Sequence, residues 1–145
     1  FHSFELLPMP REAIDRALSA WPEIESERLA LTTAWPDAPS GRVQIDFGRV
    51  ELVVHCGAAL ERLGGTGLMA DAWFLDGFSP SRNPEMWSAE LMAEVARHTA
   101  RGGTFATSSA AGWVRRNLQA AGFEVSKVPG HAGKRDMSIG VLKPC

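Results

Sequence analysis

Cysteine is scarce in this 145-residue chain: Cys56 and Cys145 form no CxxC pair and have no third or fourth partner. That excludes a disulfide scaffold and a cysteine-based zinc site, and it suits a reducing compartment such as the cytoplasm. Long apolar runs are missing too. No stretch reaches the ~18 apolar residues of a membrane-spanning helix, so none is expected and no membrane partner is assigned. His2, His55, His98 and His131 lack metal-ligand spacing, so no metal is assigned. There is no G-x-G-x-x-G, no Walker sequence and no G-x-S-x-G elbow. The common signatures of dinucleotide sites, P-loops and serine hydrolases are therefore absent. Neither an initiator Met nor a secretory or transit signal opens the chain.

What is present is globular in character. Apolar residues make up 45% and charged residues 22%, close to the average of folded domains. The length suits one domain or part of one. The net charge of −2 is unevenly spread: residues 1–90 hold 7 Lys+Arg against 14 Asp+Glu, and residues 91–145 hold 8 against 3. A basic second half is compatible with an anionic partner such as RNA, although scattered solvated charge is the plainer reading of composition alone.

Periodicity orders the chain. Phe1–Glu5 reads as a strand from the first residue, as though the chain begins in mid-fold. Arg11–Trp21 follows Pro10 with Ile14, Ala17, Leu18 and Trp21 at helical spacing, and Pro22 ends it. Ser26–Trp35 is a second short helix, and 36–41 a loop. Val43–Phe47 and Val50–Val54 flank Gly48 as a hairpin. Ala58–Leu63 is a short helix. Ala72–Leu75 and Thr104–Thr107 are short apolar runs that suit strands buried on both faces. Pro84–Thr99 reads as a helix, Arg101-Gly-Gly103 as a turn, and Ala111–Ala121 as a helix capped by Gly122. Phe123–Val128 and Met137–Leu142 close the chain as strands. Alternating strands and helices predict an α/β fold with a mostly parallel sheet and an antiparallel last strand.

The densest chemistry lies in Leu75-Asp-Gly-Phe-Ser-Pro-Ser-Arg-Asn-Pro-Glu-Met-Trp87. Asp76 sits where a strand ends, the edge at which open α/β sheets bind ligands. Gly77 admits close backbone approach, Phe78 offers a flat face, and two prolines fix the loop. The bland alternative makes Asp76 a turn cap and Phe78 and Trp87 core. Glu5 also follows a strand, where an acid commonly accepts from the hydroxyls of a nucleoside ribose. Gly57 suits close passage of a flat base, or is a plain turn glycine. Lys134 and Arg135, in the loop before the last strand, are placed to meet phosphates or to lie in solvent.

Taken together, Asp71-Ala-Trp-Phe-Leu-Asp-Gly-Phe-Ser-Pro-Ser-Arg-Asn-Pro-Glu-Met-Trp87, Arg101-Gly-Gly-Thr-Phe-Ala-Thr107, Ala111-Gly-Trp-Val-Arg-Arg116, Ala121-Gly-Phe123 and Gly133-Lys-Arg-Asp-Met137 follow a known order. The chain resembles the methyltransferase domain of the tRNA 5-methylaminomethyl-2-thiouridine biosynthesis proteins along essentially its whole length. The resemblance implies a class I (Rossmann-like) S-adenosylmethionine-dependent methyltransferase fold as a single domain over residues 1–145. It implies N-methylation of the 5-aminomethyl group on the wobble uridine of tRNA, with tRNA as partner and a flavin-dependent oxidase domain fused in many parent proteins. It makes Glu5 the ribose-holding acid and puts Gly57 and Ala58 beside the adenine, where the family has Gly-Asp. Asp76 becomes the active-site acid next to the methyl donor and the substrate amine, and Asp76 and Gly77 both border the cofactor. Phe78, Pro80, Asn83 and Pro84 shape the amine pocket, and Lys134 and Arg135 are the basic pair near the substrate. The family's first strand and glycine-rich loop are expected to precede Phe1, so the chain by itself is expected to hold cofactor weakly. Two rivals remain at this level: a class I methyltransferase acting on a small-molecule amine, and a non-catalytic fragment.

Overall fold

The computed structural model describes residues 1–130 and 136–144. The chain divides into two compact units, Phe1–Arg62 and Leu63–Cys145.

The first unit contains β1 (His2–Glu5), α1 (Arg11–Leu18), α2 (Glu25–Ala34), β2 (Arg42–Asp46) and β3 (Glu51–Cys56), followed by α3 (Ala59–Gly64) at its end. α1 is shorter than the expected 11–21. Pro22 has no N–H to donate to Leu18, whose carbonyl instead accepts from Trp21 at 3.0 Å. A 3₁₀ turn, Pro22–Ile24, then leads into α2. β2 and β3 form the expected hairpin, and β1 joins β3 in parallel to give the order β1-β3-β2. Gly48 sits in the connecting turn at φ +79°, a left-handed conformation that suits glycine. The period of two aims Ile45, Val54 and Cys56 at Ile14 and Trp35, which together form the core of this unit. The Trp35 indole donates to the Met9 carbonyl at 3.0 Å, so the buried ring keeps its polar group satisfied.

The second unit contains β4 (Ala70–Phe74), α4 (Ala89–Arg97), β5 (Thr99–Thr107), α5 (Gly112–Ala120), β6 (Phe123–Pro129) and β7 (Asp136–Leu142). Its sheet runs β4-β5-β7-β6. β4 and β5 are parallel, while β7 runs antiparallel to both its neighbours, as expected for the last strand. Leu91, Met92 and Val95 of α4 and Val114 and Leu118 of α5 are buried with Trp87, Phe105 and Phe123. Phe105 and Phe123 meet edge to face at 5.1 Å, the arrangement that aromatic quadrupoles favour.

Three local expectations change here. The helix expected over 84–99 is two pieces, a 3₁₀ turn Pro84–Trp87 and α4. Ser88 separates them because its hydroxyl accepts from the Leu91 N–H and caps the new helix. Arg101-Gly-Gly103 is an irregularity inside the longer β5, not a turn: Ala70 pairs with Thr99 but Ala72 pairs with Thr104, and Gly102 takes φ +73°. Neither short apolar run is buried on both faces. β4 is an edge strand with Asp71, Ala72 and Phe74 exposed, and in β5 Phe105 and Thr107 are buried while Thr104 is exposed.

Candidate active site and cofactor-binding edge

In the first unit, the parallel register sets Glu5 opposite Cys56. The next N–H, from Gly57, donates to the Glu5 carbonyl at 2.9 Å. Acid and glycine are thus neighbours at the carboxyl ends of two parallel strands. The Glu5 side chain is exposed, and Ser3 donates to its Oε1 at 2.7 Å. That contact steadies the carboxylate while leaving most of its acceptor capacity free. Gly57 takes φ +135°, so any L side chain would be strained there. A Cβ at this position would also lie 2.5 Å from Arg62 Nε and 3.1 Å from Nη2. Ala58 begins the turn into α3, its carbonyl accepting from Arg62 at 3.0 Å.

Aromatic rings lie on the same two strands. Phe4 stacks on His55 at 4.7 Å, His2 stacks on the same ring at 5.3 Å, and His2 Nδ1 lies 3.0 Å from His55 Nε2. Burial holds both imidazoles below their ordinary pKa, and neighbouring positive charges push the same way, with Arg42 and Arg62 both acting on His55. Two adjacent rings in this position cannot both carry a proton cheaply.

This edge suits the nucleoside half of a cofactor. An exposed carboxylate accepts from a ribose diol, and a side-chain-free backbone lets a flat base pass close. Glu5, Gly57 and Ala58, separated by about fifty residues of sequence, are brought together by the β1–β3 register.

In the second unit, the Leu75 N–H donates to the Ala106 carbonyl at 2.9 Å and extends the β4–β5 pairing by one residue. Asp76 is the first residue past it and is exposed. The loop that follows is pinned to one buried ring. Gly77 rests against Trp87: a Cβ there would lie 3.2 Å from Cζ2 and 3.4 Å from Cε2. The Trp87 indole donates to the Phe78 carbonyl at 2.9 Å, and Asn117 of α5 donates to the Trp87 carbonyl at 2.8 Å. Trp87 itself is only 2% exposed. Beyond Phe78, the Ser79 carbonyl accepts from Arg82 at 2.8 Å and Asn83 at 3.0 Å, closing a turn around Pro80. Asn83 and Pro84 lead into the 3₁₀ turn that carries Trp87. The Phe78 ring is 79% exposed, an aromatic face open to a ligand on a backbone that is held. Asp76, Gly77, Phe78, Pro80, Asn83 and Pro84 therefore share one braced loop. Lys134 and Arg135 lie outside the described residues.

Three residues escape the sequence reading in these roles: Trp87 as the anchor of the loop, Asn117 as its support, and Arg62 beside Gly57. Asn117 carries a faint signal, since Asn is a poor helix former in the middle of α5.

Comparison with known proteins supplies a lineage. The family model described as S-adenosyl-L-methionine-dependent methyltransferase matches residues 22–143. The tRNA 5-methylaminomethyl-2-thiouridine biosynthesis bifunctional protein MnmC of Hahella chejuensis is 45% identical over 147 residues, 99% of this chain and 23% of that protein. Its counterpart of the same name in Methylobacillus flagellatus is 46% identical over 142 residues, 97% of this chain and 22% of that protein. The chain thus spans about a fifth of the length of these curated relatives. The crystal structure of MNMC2 from Aquifex aeolicus superposes with a TM-score of 0.70 at 26% identity, over 98% of this chain and 43% of that one. The family match takes in Gly57, Asp76 and the whole Trp87-braced loop. The chain belongs to the S-adenosyl-L-methionine-dependent methyltransferase family.

Proposed function

We propose that this chain is the methyl-transferring part of a tRNA-modifying enzyme. Its reaction is N-methylation of the 5-aminomethyl group of 5-aminomethyl-2-thiouridine at the tRNA wobble position. The observation that carries this reading is the placement of Asp76. The acid is exposed at the end of β4, at the start of a loop whose backbone is fixed to a buried indole. The relatives' names supply the substrate class.

When bound, S-adenosylmethionine supplies an electrophilic methyl group whose C–S bond breaks as the new N–C bond forms. Glu5 holds the ribose hydroxyls, and Gly57 and Ala58, which carry no side chain larger than a methyl group, border the base. Gly77 keeps the entrance to the loop free of side chain. An alkylamine is protonated near neutral pH and must lose that proton before its lone pair can attack. Asp76 accepts a hydrogen bond from the amine, aims the lone pair, and stabilises the ammonium that forms. The product's extra proton then passes from nitrogen to the carboxylate or through it to water. Phe78 offers its ring face to the same cation, and Pro80, Asn83 and Pro84 wall the amine in. Lys134 and Arg135 contribute positive charge toward the tRNA backbone.

A fused second domain, a flavin-dependent oxidase, and a cytoplasmic setting belong to the same proposal. The supports are the word bifunctional in the relatives' names and the fifth of their length that this chain spans. Among the described residues no helix is long and apolar enough to cross a membrane.

The test is methyl transfer to hypomodified tRNA by the whole protein carrying Asp76→Asn. Turnover is expected to fall by about 10²–10³, with tRNA affinity nearly unchanged. Near-normal turnover removes Asp76 from the chemistry. A small free amine methylated as well as tRNA, together with salt-insensitive tRNA binding, overturns the RNA substrate.

A further inference from the structure

The guanidinium of Arg62 folds back from α3 to the one place on the β1–β3 edge where the chain has no side chain. Its Nε, Nη2 and Cζ lie 2.5, 3.1 and 3.2 Å from where a Gly57 Cβ would be. Glu5 is one hydrogen bond away, its carbonyl accepting from the Gly57 N–H at 2.9 Å. Arg62 has no ion pair within the first unit. Its charge reaches His55, the ring stacked beneath Phe4, and helps hold that imidazole neutral.

Resting on the cofactor reading above, we propose that Arg62 is the residue that reads the purine of the cofactor. With the ribose on Glu5, the base lies one glycosidic bond away, against Gly57. A planar guanidinium there stacks on the face of the base. Guanidinium has five donors and no acceptor. It cannot receive the exocyclic amine of adenine, and Ala58, Ala59 and Leu60, the first residues after Gly57, carry no acceptor on their side chains either. A purine with a carbonyl in place of that amine loses nothing at this edge. The subsite is therefore purine-selective but indifferent to the amine. This contrasts with sites built to hydrogen-bond such a group, which discriminate strongly.

The experiment is calorimetric titration of the whole protein with S-adenosylhomocysteine and with its deaminated analogue, S-inosylhomocysteine. The two are expected to bind within about fivefold of each other, and Arg62→Ala weakens both by about tenfold. Arg62→Lys keeps the charge but loses the plane, and recovers only part of that loss. Ala58→Asp supplies an acceptor and raises the preference for the adenosyl ligand by about tenfold or more. If Arg62→Ala binds S-adenosylhomocysteine as tightly as the parent, or the parent rejects the inosyl ligand by about a thousandfold, the assignment of Arg62 is wrong while the cofactor reading stands. If the parent binds neither ligand, both fall together.

Discussion

Replacing Trp87 with Phe separates the two jobs of that side chain. The indole fills the core of the second unit at 2% exposure, and its Nε1 donates to the Phe78 carbonyl at 2.9 Å. Phe retains an aromatic ring in the core but loses the donor and part of the ring volume. The hydrogen bond is worth about 1 kcal/mol net, and the void left by the missing ring atoms about 1–2 kcal/mol. The sum, ~2–3 kcal/mol, is large against the stability of a small domain but need not unfold it. Denaturant unfolding reads this loss directly. The functional consequence is separate. With its carbonyl released, the Gly77–Phe78 segment is free to drift relative to Asp76, and small misplacements in a reacting constellation cost up to about a hundredfold. Single-turnover methyl transfer, run well below the variant's unfolding transition, should slow by ~10–100-fold while S-adenosylhomocysteine affinity changes little. A variant that is destabilised as calculated but transfers methyl at the parent rate refutes the bracing role of the indole and leaves it as core packing alone.

Gly140→Ala tests the sheet itself. A methyl there would overlap Phe105 Cε1 and sit 2.6 Å from the Glu124 carbonyl oxygen. Phe105 is buried, and Glu124 belongs to the neighbouring β6, so neither steps aside easily. A loss of about 3 kcal/mol, or failure to fold, is expected in denaturant titration, and parent-like stability would contradict the packing described. The His2–His55 pair predicts acid sensitivity. Both folded-state pKa values lie below the ordinary histidine value of 6.5, so the unfolded chain binds more protons. Stability is therefore full above that value and is lost as pH falls from it through the lowered folded values. Unfolding at about pH 7.5 and about pH 5 should show a smaller pH-dependent loss for His55→Phe than for the parent, and an equal loss would dismiss the pair as the cause.

The order of elements was legible because period-two and period-3.6 patterns are local. Val43–Phe47 and Val50–Val54 around Gly48 could hardly be anything but a hairpin, and the structure pairs them with the expected sense. The misreadings also have local causes. Pro84–Thr99 looks helical because Met86, Leu91 and Val95 fall on one face, yet Ser88 satisfies Leu91 and restarts the helix. Arg101-Gly-Gly103 has turn composition, but Gly102 uses its left-handed freedom to absorb extra residues inside β5. β4 is apolar enough for burial on both faces, yet it is the edge strand of its sheet among the described residues, with Asp71, Ala72 and Phe74 exposed. Composition reports what a residue prefers, whereas exposure depends on what packs against each face of the strand.

The candidate site divides along the same line. Asp76 through Trp87 is readable because nearly every position carries a backbone constraint: a strand end, a bare glycine, a closed turn, a proline entering a 3₁₀ turn. Such a loop announces itself in sequence, since no mere connector needs so many special residues in a row. Asn117 and Arg62 announce nothing. Each is an ordinary polar residue on a helix, and its importance follows from where a folded helix delivers its tip. In one case that is a carbonyl thirty residues away, in the other the empty side of a glycine. If the site works as argued, the residues that contact ligand directly and the residues that hold them should respond differently to substitution. Asp76→Asn should remove chemistry and spare stability. Trp87→Phe should diminish both. Arg62→Ala should touch neither the rate at saturation nor the fold, only the concentration of cofactor at which the enzyme works.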